Sequence, residues 1–453
     1  MSAPRAPQQT TVHNNCGERA VGKVLTRLLP FAMLLLFVNL LDRSNISYAA
    51  LQMNEDLGFT PAVYGFAAGV FFLGYFLFEL PSNLILARVG GRLWLARIAI
   101  SWGLVAMAMG WVNTATSLYI ARFLLGVAEA GLLPGLLYFL SLWIPGAQRA
   151  FAYSLLLSIT AVASILGGPI ATGLMELDGL GGFRGWQLVF VVEGIATITL
   201  GLVTLRVLPD TPLQARWLDP SEQRWLTETI AAEHAAKSRT GATTLRQGLL
   251  DRRVLMITVV SFFFVCCNFG TVFWLPQIIK SLGDLTNLQV GAISAIPYML
   301  GGMAMVLWGR HSDRSGDRKW HLAGSAAVAS VAYLWAALAP TSEHSFIALC
   351  VATAAIWSMF GVFWALTGDL LGGIAAAAGM AVINSFASLG GFVGPYLIGF
   401  LKERTQSFTG GLLALAAFAG ITAVLAIFLR NYGTEQECTT AASRSARQNS
   451  TAH

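Results

Sequence analysis

Six charged side chains stand five or more residues inside long apolar runs of this sequence: Asp42, Arg43, Glu79, Arg122, Glu129 and Glu193. A charge in such surroundings costs several kcal/mol unless it is paired or meets water, so each is a candidate for function. A guanidinium presents a fork of donors that matches a carboxylate bidentately. Arg43 and Arg122 are therefore candidate binders of a carboxylate-bearing cargo. A carboxyl held away from water gains proton affinity, and a nearby arginine removes it. Asp42 and Glu129 are accordingly candidate proton carriers. An anion arriving at the arginines would favour protonation of the acids, so that each ligand promotes the other's binding. A bland alternative stays open, in which the four groups form two fixed ion pairs that hold one helix against another. Glu79 can reach Arg88 or Arg92 and reads as structural, as does Glu193.

Spacing sorts these groups. Arg122 and Glu129 are seven residues apart, about 700° of helix, and so lie within about 20° of one face. Glu129 lies ~18 Å into its run at 1.5 Å per residue, near the middle of a bilayer. Asp42 and Arg43 are adjacent and point about 100° apart, so they cannot serve one spot equally.

Composition identifies the elements that must position them. The chain has 453 residues, 55% hydrophobic and only 11% charged. A soluble domain carries roughly 25% charged residues, and one this poor in charge could not cover its surface. A soluble enzyme, a nucleic-acid binder and a disordered chain are all excluded. The net charge of +6 needs no nucleic acid, because basic residues collect in cytoplasmic loops of membrane proteins. Five scattered cysteines and six histidines show no metal spacing, disulfide framework or cofactor loop, so neither a metal nor a cofactor is expected. The polar N-terminus does not read as a cleavable signal peptide.

Twelve apolar runs, each near the roughly 20 residues a spanning helix needs, fall at 28–51, 62–86, 93–113, 117–140, 150–174, 186–208, 254–280, 288–309, 321–340, 345–368, 375–401 and 408–430. The expected organisation is a cytoplasmic tail (1–27), a six-helix bundle (28–208), a cytoplasmic linker (209–250), a second bundle (251–430) and a cytoplasmic tail (431–453). With the N-terminus inside, 23 Lys and Arg fall on the inner side and four on the outer. That bias predicts both termini in the cytoplasm. Within the linker, Asp219-Pro220-Ser221-Glu222 reads as the start of a short amphipathic helix.

The two halves repeat. Gly309-Arg310-His311-Ser312-Asp313-Arg314-Ser315-Gly316-Asp317-Arg318 follows the eighth run, and Asn83 to Arg92 follows the second, with Arg88, Gly90 and Arg92 matching Arg314, Gly316 and Arg318. Gly168-Pro169 and Gly394-Pro395 share the same offset of 226. A duplicated unit rocking about a central site is the architecture of a secondary transporter. At that offset Asp42 corresponds to the neutral Asn268, which places charge coupling in the first half.

The pattern G-x-x-x-D-R-x-G-x-R at 309–318 resembles the loop signature of the major facilitator superfamily. Leu41-Asp42-Arg43-Ser44-Asn45, Phe78-Glu79-Leu80-Pro81-Ser82-Asn83 and Arg122 to Gly131 (RFLLGVAEAG) resemble, more narrowly, its anion:cation symporter family, which includes tartrate, phthalate, hexuronate and galactonate transporters. The first-half loop departs from the pattern, with Ala87 where the acid is expected. The resemblance implies an all-α integral membrane fold of twelve helices in two six-helix bundles. It implies that Arg88, Gly90, Arg92, Asp313, Arg314, Gly316 and Arg318 form gating loops. It gives Asp42, Arg43, Arg122 and Glu129 the roles argued above. Tyr75, Thr160, Asn268, Trp364 and Asn384 match spans that line the family's cavity, and are further candidate substrate contacts.

The expectation is a monomeric, proton-coupled symporter of a small organic anion in a bacterial-type inner membrane, and not an enzyme. The cargo would be a sugar acid, a tartrate-like diacid or an aromatic acid. The alternative is a non-coupled facilitator or exchanger of neutral sugars, which gives no reason for charges inside the membrane. A channel or receptor would not need duplicated halves.

Overall fold

A computed structural model describes residues 8–239, 252–370 and 374–429. The expected tail at 431–453 and the end of the linker lie outside the described residues. Fifteen α-helices and no strand occur among them. They are α1 (Gln8–Arg27), α2 (Leu29–Leu57), α3 (Pro61–Val89), α4 (Gly91–Ala108), α5 (Ala115–Glu129), α6 (Leu132–Ser141), α7 (Gly146–Met175), α8 (Gly185–Val207) and α9 (Pro220–Arg239). After these come α10 (Arg252–Ser281), α11 (Asn287–Ser315), α12 (Lys319–Leu338), α13 (Ser342–Leu370), α14 (Ile374–Thr405) and α15 (Thr409–Ile427). Eleven helical stretches among the described residues are long and apolar enough to cross a bilayer, with α5 and α6 forming one broken span. α14, of 32 residues, covers the remaining expected span. All-helical architecture follows from the solvent, because a backbone in hydrocarbon must satisfy its own hydrogen bonds.

The helices form two compact units. One comprises Met1–Ala49 and Leu73–Gly241, the other Ala50–Phe72 and Ala242–His453. The end of α2 and the start of α3 thus belong with the second unit.

The duplication is visible in local backbone as well as in sequence. Thr60 and Thr286, 226 residues apart, each accept a hydrogen bond from the backbone N–H three residues on, at 3.3 and 3.2 Å. Each hydroxyl thereby caps the start of a spanning helix, α3 and α11. Gly90 (φ 100°) and Gly316 (φ 68°) end those same helices at positive φ, where a Cβ would be strained. One offset therefore covers a helix start, a helix end and the Gly-Pro pairs in α7 and α14.

In the first unit, α4 and α8 pack backbone against backbone. A Cβ on Gly194 would lie 2.6 Å from the Met107 nitrogen, and one on Gly103 would lie 2.9 Å from the Gly194 carbonyl oxygen. Small residues permit such approach where no hydrophobic force between helices exists. The contact brings Trp102 of α4 and Glu193 of α8 toward α2. At the opposite face Gly74 of α3 meets the backbone of α5 at Phe123 and Val127, which fixes Tyr75 near the charged residues of α5.

α9 starts at Pro220, and the Glu222 carboxylate accepts the Asp219 N–H at 2.9 Å. The helix is tied to α1 by Lys23, which meets Glu222 at 2.7 Å and Asp219 at 3.1 Å. It is tied to α7 by Glu233, which accepts from Gly146 N at 2.8 Å and from Arg149 at 3.0 Å.

Candidate substrate and proton site

The Asp-Arg-Ser-Asn run on α2 sends its charges to two different places. Asp42 and Asn45 are one turn apart on one face, and Arg43 turns away from both. The guanidinium of Arg43 reaches the last residue of α5, where Nε donates to Glu129 Oε1 at 3.0 Å and the terminal nitrogen pairs with the same oxygen. The Arg43 side chain also stands over the Tyr75 ring, 5.2 Å from its centroid. Glu129 is fully buried, and its second carboxyl oxygen has no hydrogen-bond partner.

Local sequence explains the position of Glu129. α5 stops there because Ala130 leaves helical backbone and Gly131 takes φ 89° before α6 resumes. A Cβ on Gly131 would also lie 2.6 Å from Ser82 Oγ, so glycine is required on two counts. The carboxylate consequently sits at a helix C-terminus, where the macrodipole is negative and a cation is needed to compensate it. Arg43 supplies that cation.

Asp42 faces the other way. Its Oδ2 accepts from Trp102 Nε1 at 2.8 Å, and its Oδ1 accepts from Asn45 Nδ2 at 3.2 Å. The same Asn45 nitrogen donates to Glu193 Oε2 at 2.7 Å. Asp42, Asn45 and Glu193 are all buried. Arg122 is wholly buried and interacts electrostatically with Asp42. Glu193, which reads from the sequence as structural, is hydrogen-bonded to the α2 cluster. Its signal was present as the single acid of the sixth apolar run, but nothing in the sequence paired that acid with position 45. Asn45 and Trp102 were not singled out as site residues.

The neutral candidates divide between the units. Tyr75 is buried beside Arg43, and Thr160 is half-buried on α7. In the second unit, Asn268 lines a recess with Thr271, Tyr298, Tyr333 and Trp357. Trp364 is 38% exposed and packs edge-on against Phe363, while Asn384 is exposed on α14.

The loops differ between halves. Arg314 is exposed, and Arg318 lies 3.7 Å from Asp313. Arg88 is also exposed, whereas Arg92 pairs with Asp210, just past α8, at 3.2 Å. Asp210 also accepts the Arg92 backbone N–H at 2.9 Å. An acid from the end of α8 thus stands in for the one the first loop lacks at Ala87, and Arg92 turns to it rather than to Glu79.

Residues 32–395 match the Major Facilitator Superfamily. The chain belongs to that superfamily. It is 45% identical over 418 residues to an Agrobacterium vitis protein named "Putative tartrate transporter", covering 92% of this chain and 93% of the relative. It is 38% identical to the "Quinolone resistance transporter" of Acinetobacter baumannii, covering 88% of this chain and 92% of that one. Among solved structures it resembles a bacterial homolog of the human lysosomal transporter Spinster, with a TM-score of 0.74 at 16% identity, covering 89% and 96% of the two chains. That likeness concerns the fold. The chain is a multi-pass membrane transporter of the superfamily, as the loop signature implied.

Proposed function

We propose that this protein is a proton-coupled symporter that moves a small organic anion across a bacterial-type inner membrane by alternating access, working as a monomer with both termini in the cytoplasm. The observation that carries the reading is the hold of Glu129 on Arg43. One guanidinium cannot serve an internal carboxylate and a cargo carboxylate equally. Protonation of Glu129 would discharge the internal partner and leave Arg43, still flanked by Tyr75, open to the anion. Release of that proton would restore the ion pair and expel the cargo. Proton and anion then favour each other's binding at one residue pair. Asp42 and Arg122 form a second acid–base couple in the same unit, which Asp42 would use to carry a further proton.

The anion class is supported by the arginines, which a neutral cargo would not require, and by the name of the Agrobacterium vitis relative. The purified protein, screened by thermal shift against small carboxylates and neutral sugars, should be stabilised by carboxylates. Uptake of labelled tartrate into proteoliposomes should then rise when the outside is made acid. Stabilisation by neutral sugars alone would overturn the anion assignment. Tartrate uptake indifferent to the pH gradient would overturn the coupling.

A further inference from the structure

Two buried acids, Asp42 and Glu193, share one amide. Asn45 Nδ2 donates to Asp42 Oδ1 at 3.2 Å and to Glu193 Oε2 at 2.7 Å. All three residues are at most 7% exposed. The charged groups facing Asp42 are Arg122 and Glu129, both on α5, while the group facing Glu193 is Asp42 itself. Among the described residues no cation is hydrogen-bonded to or ion-paired with Glu193. Two buried carboxylates on one amide, with Arg122 acting on Asp42 alone, cannot both stay ionised at neutral pH.

The hydrogen bonds decide which one gives way. Asp42 accepts donors on both oxygens, from Asn45 and from Trp102, and has Arg122 nearby. Those are the conditions that hold a carboxylate as an anion. Among the described residues Glu193 accepts one donor, from Asn45, and pairs with no cation. Asn45 Oδ1 is buried without a hydrogen-bond partner, an acceptor left open beside the pair. We propose that Asp42 and Glu193 bind a single proton as one unit bridged by Asn45, that Glu193 is its resting place, and that Glu193 thereby sets the acidity at which Asp42 is loaded. Glu193 acts here as a positioning residue for the proton. The inference rests on the reading of Asp42 as a proton carrier and adds a residue to it.

Two measurements on the full-length protein test the pair, one of which needs no cargo. In lipid nanodiscs at neutral pH, the infrared C=O stretch of a protonated carboxyl should be present in the wild type and lost in E193Q. A band unchanged in E193Q would overturn the proposal. In proteoliposomes, with labelled tartrate as the probe, the pH profile of gradient-driven uptake should move to the acid side in E193Q by about one pH unit, because the pair loses the carboxyl that takes up the shared proton more readily and Asp42 is left to bind it alone. The profile should move to the alkaline side in N45A, because Asp42, the anion of the pair, loses a donor. A purely structural role for Glu193 predicts no such shifts of opposite sign. If E193Q does not fold, N45A decides: an unmoved profile refutes the bridge. A band lost in E193Q, with uptake indifferent to pH in every variant, would leave the pair standing and remove the coupling reading instead.

Discussion

At the residue scale the adjacent Asp42 and Arg43 behave as two instruments on one turn. Their 100° divergence was legible in the sequence, and so was the shared face of Arg122 and Glu129. Which acid would meet which base was not legible. Arg43 and Glu129 are 86 residues apart, and only the stop of α5 at Glu129 and the left-handed Gly131 bring them together. The geometry makes a strong demand on residue type at position 43. Lysine keeps the charge but loses the planar fork and its stacking on Tyr75. R43K is expected to lower gradient-driven uptake of tartrate by at least about tenfold, the equivalent of ~1.4 kcal/mol. Uptake within twofold of wild type would show that a point charge suffices.

At the scale of elements, the glycines at α4 and α8 decide where Glu193 stands. Their apolar composition marked both as spans, but a glycine's role in packing depends on what lies opposite, and one sequence does not contain that. In Gly194→Ala the added methyl meets backbone at Met107 and cannot be absorbed by a rotamer change. Overpacking of this kind costs about 1–3 kcal/mol. Thermal unfolding of the purified variant should show a lowered midpoint, and the infrared carboxyl band should change as Glu193 moves from Asn45. An unaltered midpoint would mean that α4 and α8 separate freely. The loop after α3 gives a milder case. Arg92 is 40% exposed in its pair with Asp210, so D210N should cost no more than ~1 kcal/mol.

The C-terminal end of α14, beyond the apolar run at 375–401, offers a pH test. Glu403 accepts from Thr60 Oγ1 at 2.7 Å and from Ala62 N at 2.9 Å, and so caps α3 within the second unit. Those hydrogen bonds hold its carboxyl below the ordinary glutamate value of 4.5. A depressed carboxyl stabilises the fold fully above its unfolded value, and the gain is lost as pH falls through its folded value. The thermal midpoint of wild type should therefore drop on acidification below 4.5 more steeply than that of E403Q. Parallel curves would show that the Glu403 carboxylate adds no stability to the start of α3.

On the scale of the molecule, the twelve apolar runs, the duplication and the superfamily were legible because solvent and repetition write them over hundreds of residues. The offset of 226, read from the loop and Gly-Pro markers, also relates helix caps and positive-φ glycines that no composition argument names. The compact units were less legible: the sequence divides at the linker, whereas residues 50–72 pack with the second unit. The buried acid–base contacts of Asp42, Arg43, Arg122 and Glu129 all lie in the first unit, which is where the proposed coupling would reside. In the proposed mechanism Glu129 exchanges Arg43 for a proton, and that step decides the coupling. It is tested most directly by E129Q in proteoliposomes, comparing gradient-driven tartrate uptake with exchange of tartrate preloaded inside. Driven uptake is expected to be abolished while exchange persists, since Arg43 then no longer faces an ionised Glu129 and can hold the anion. Driven uptake equal to wild type would contradict it.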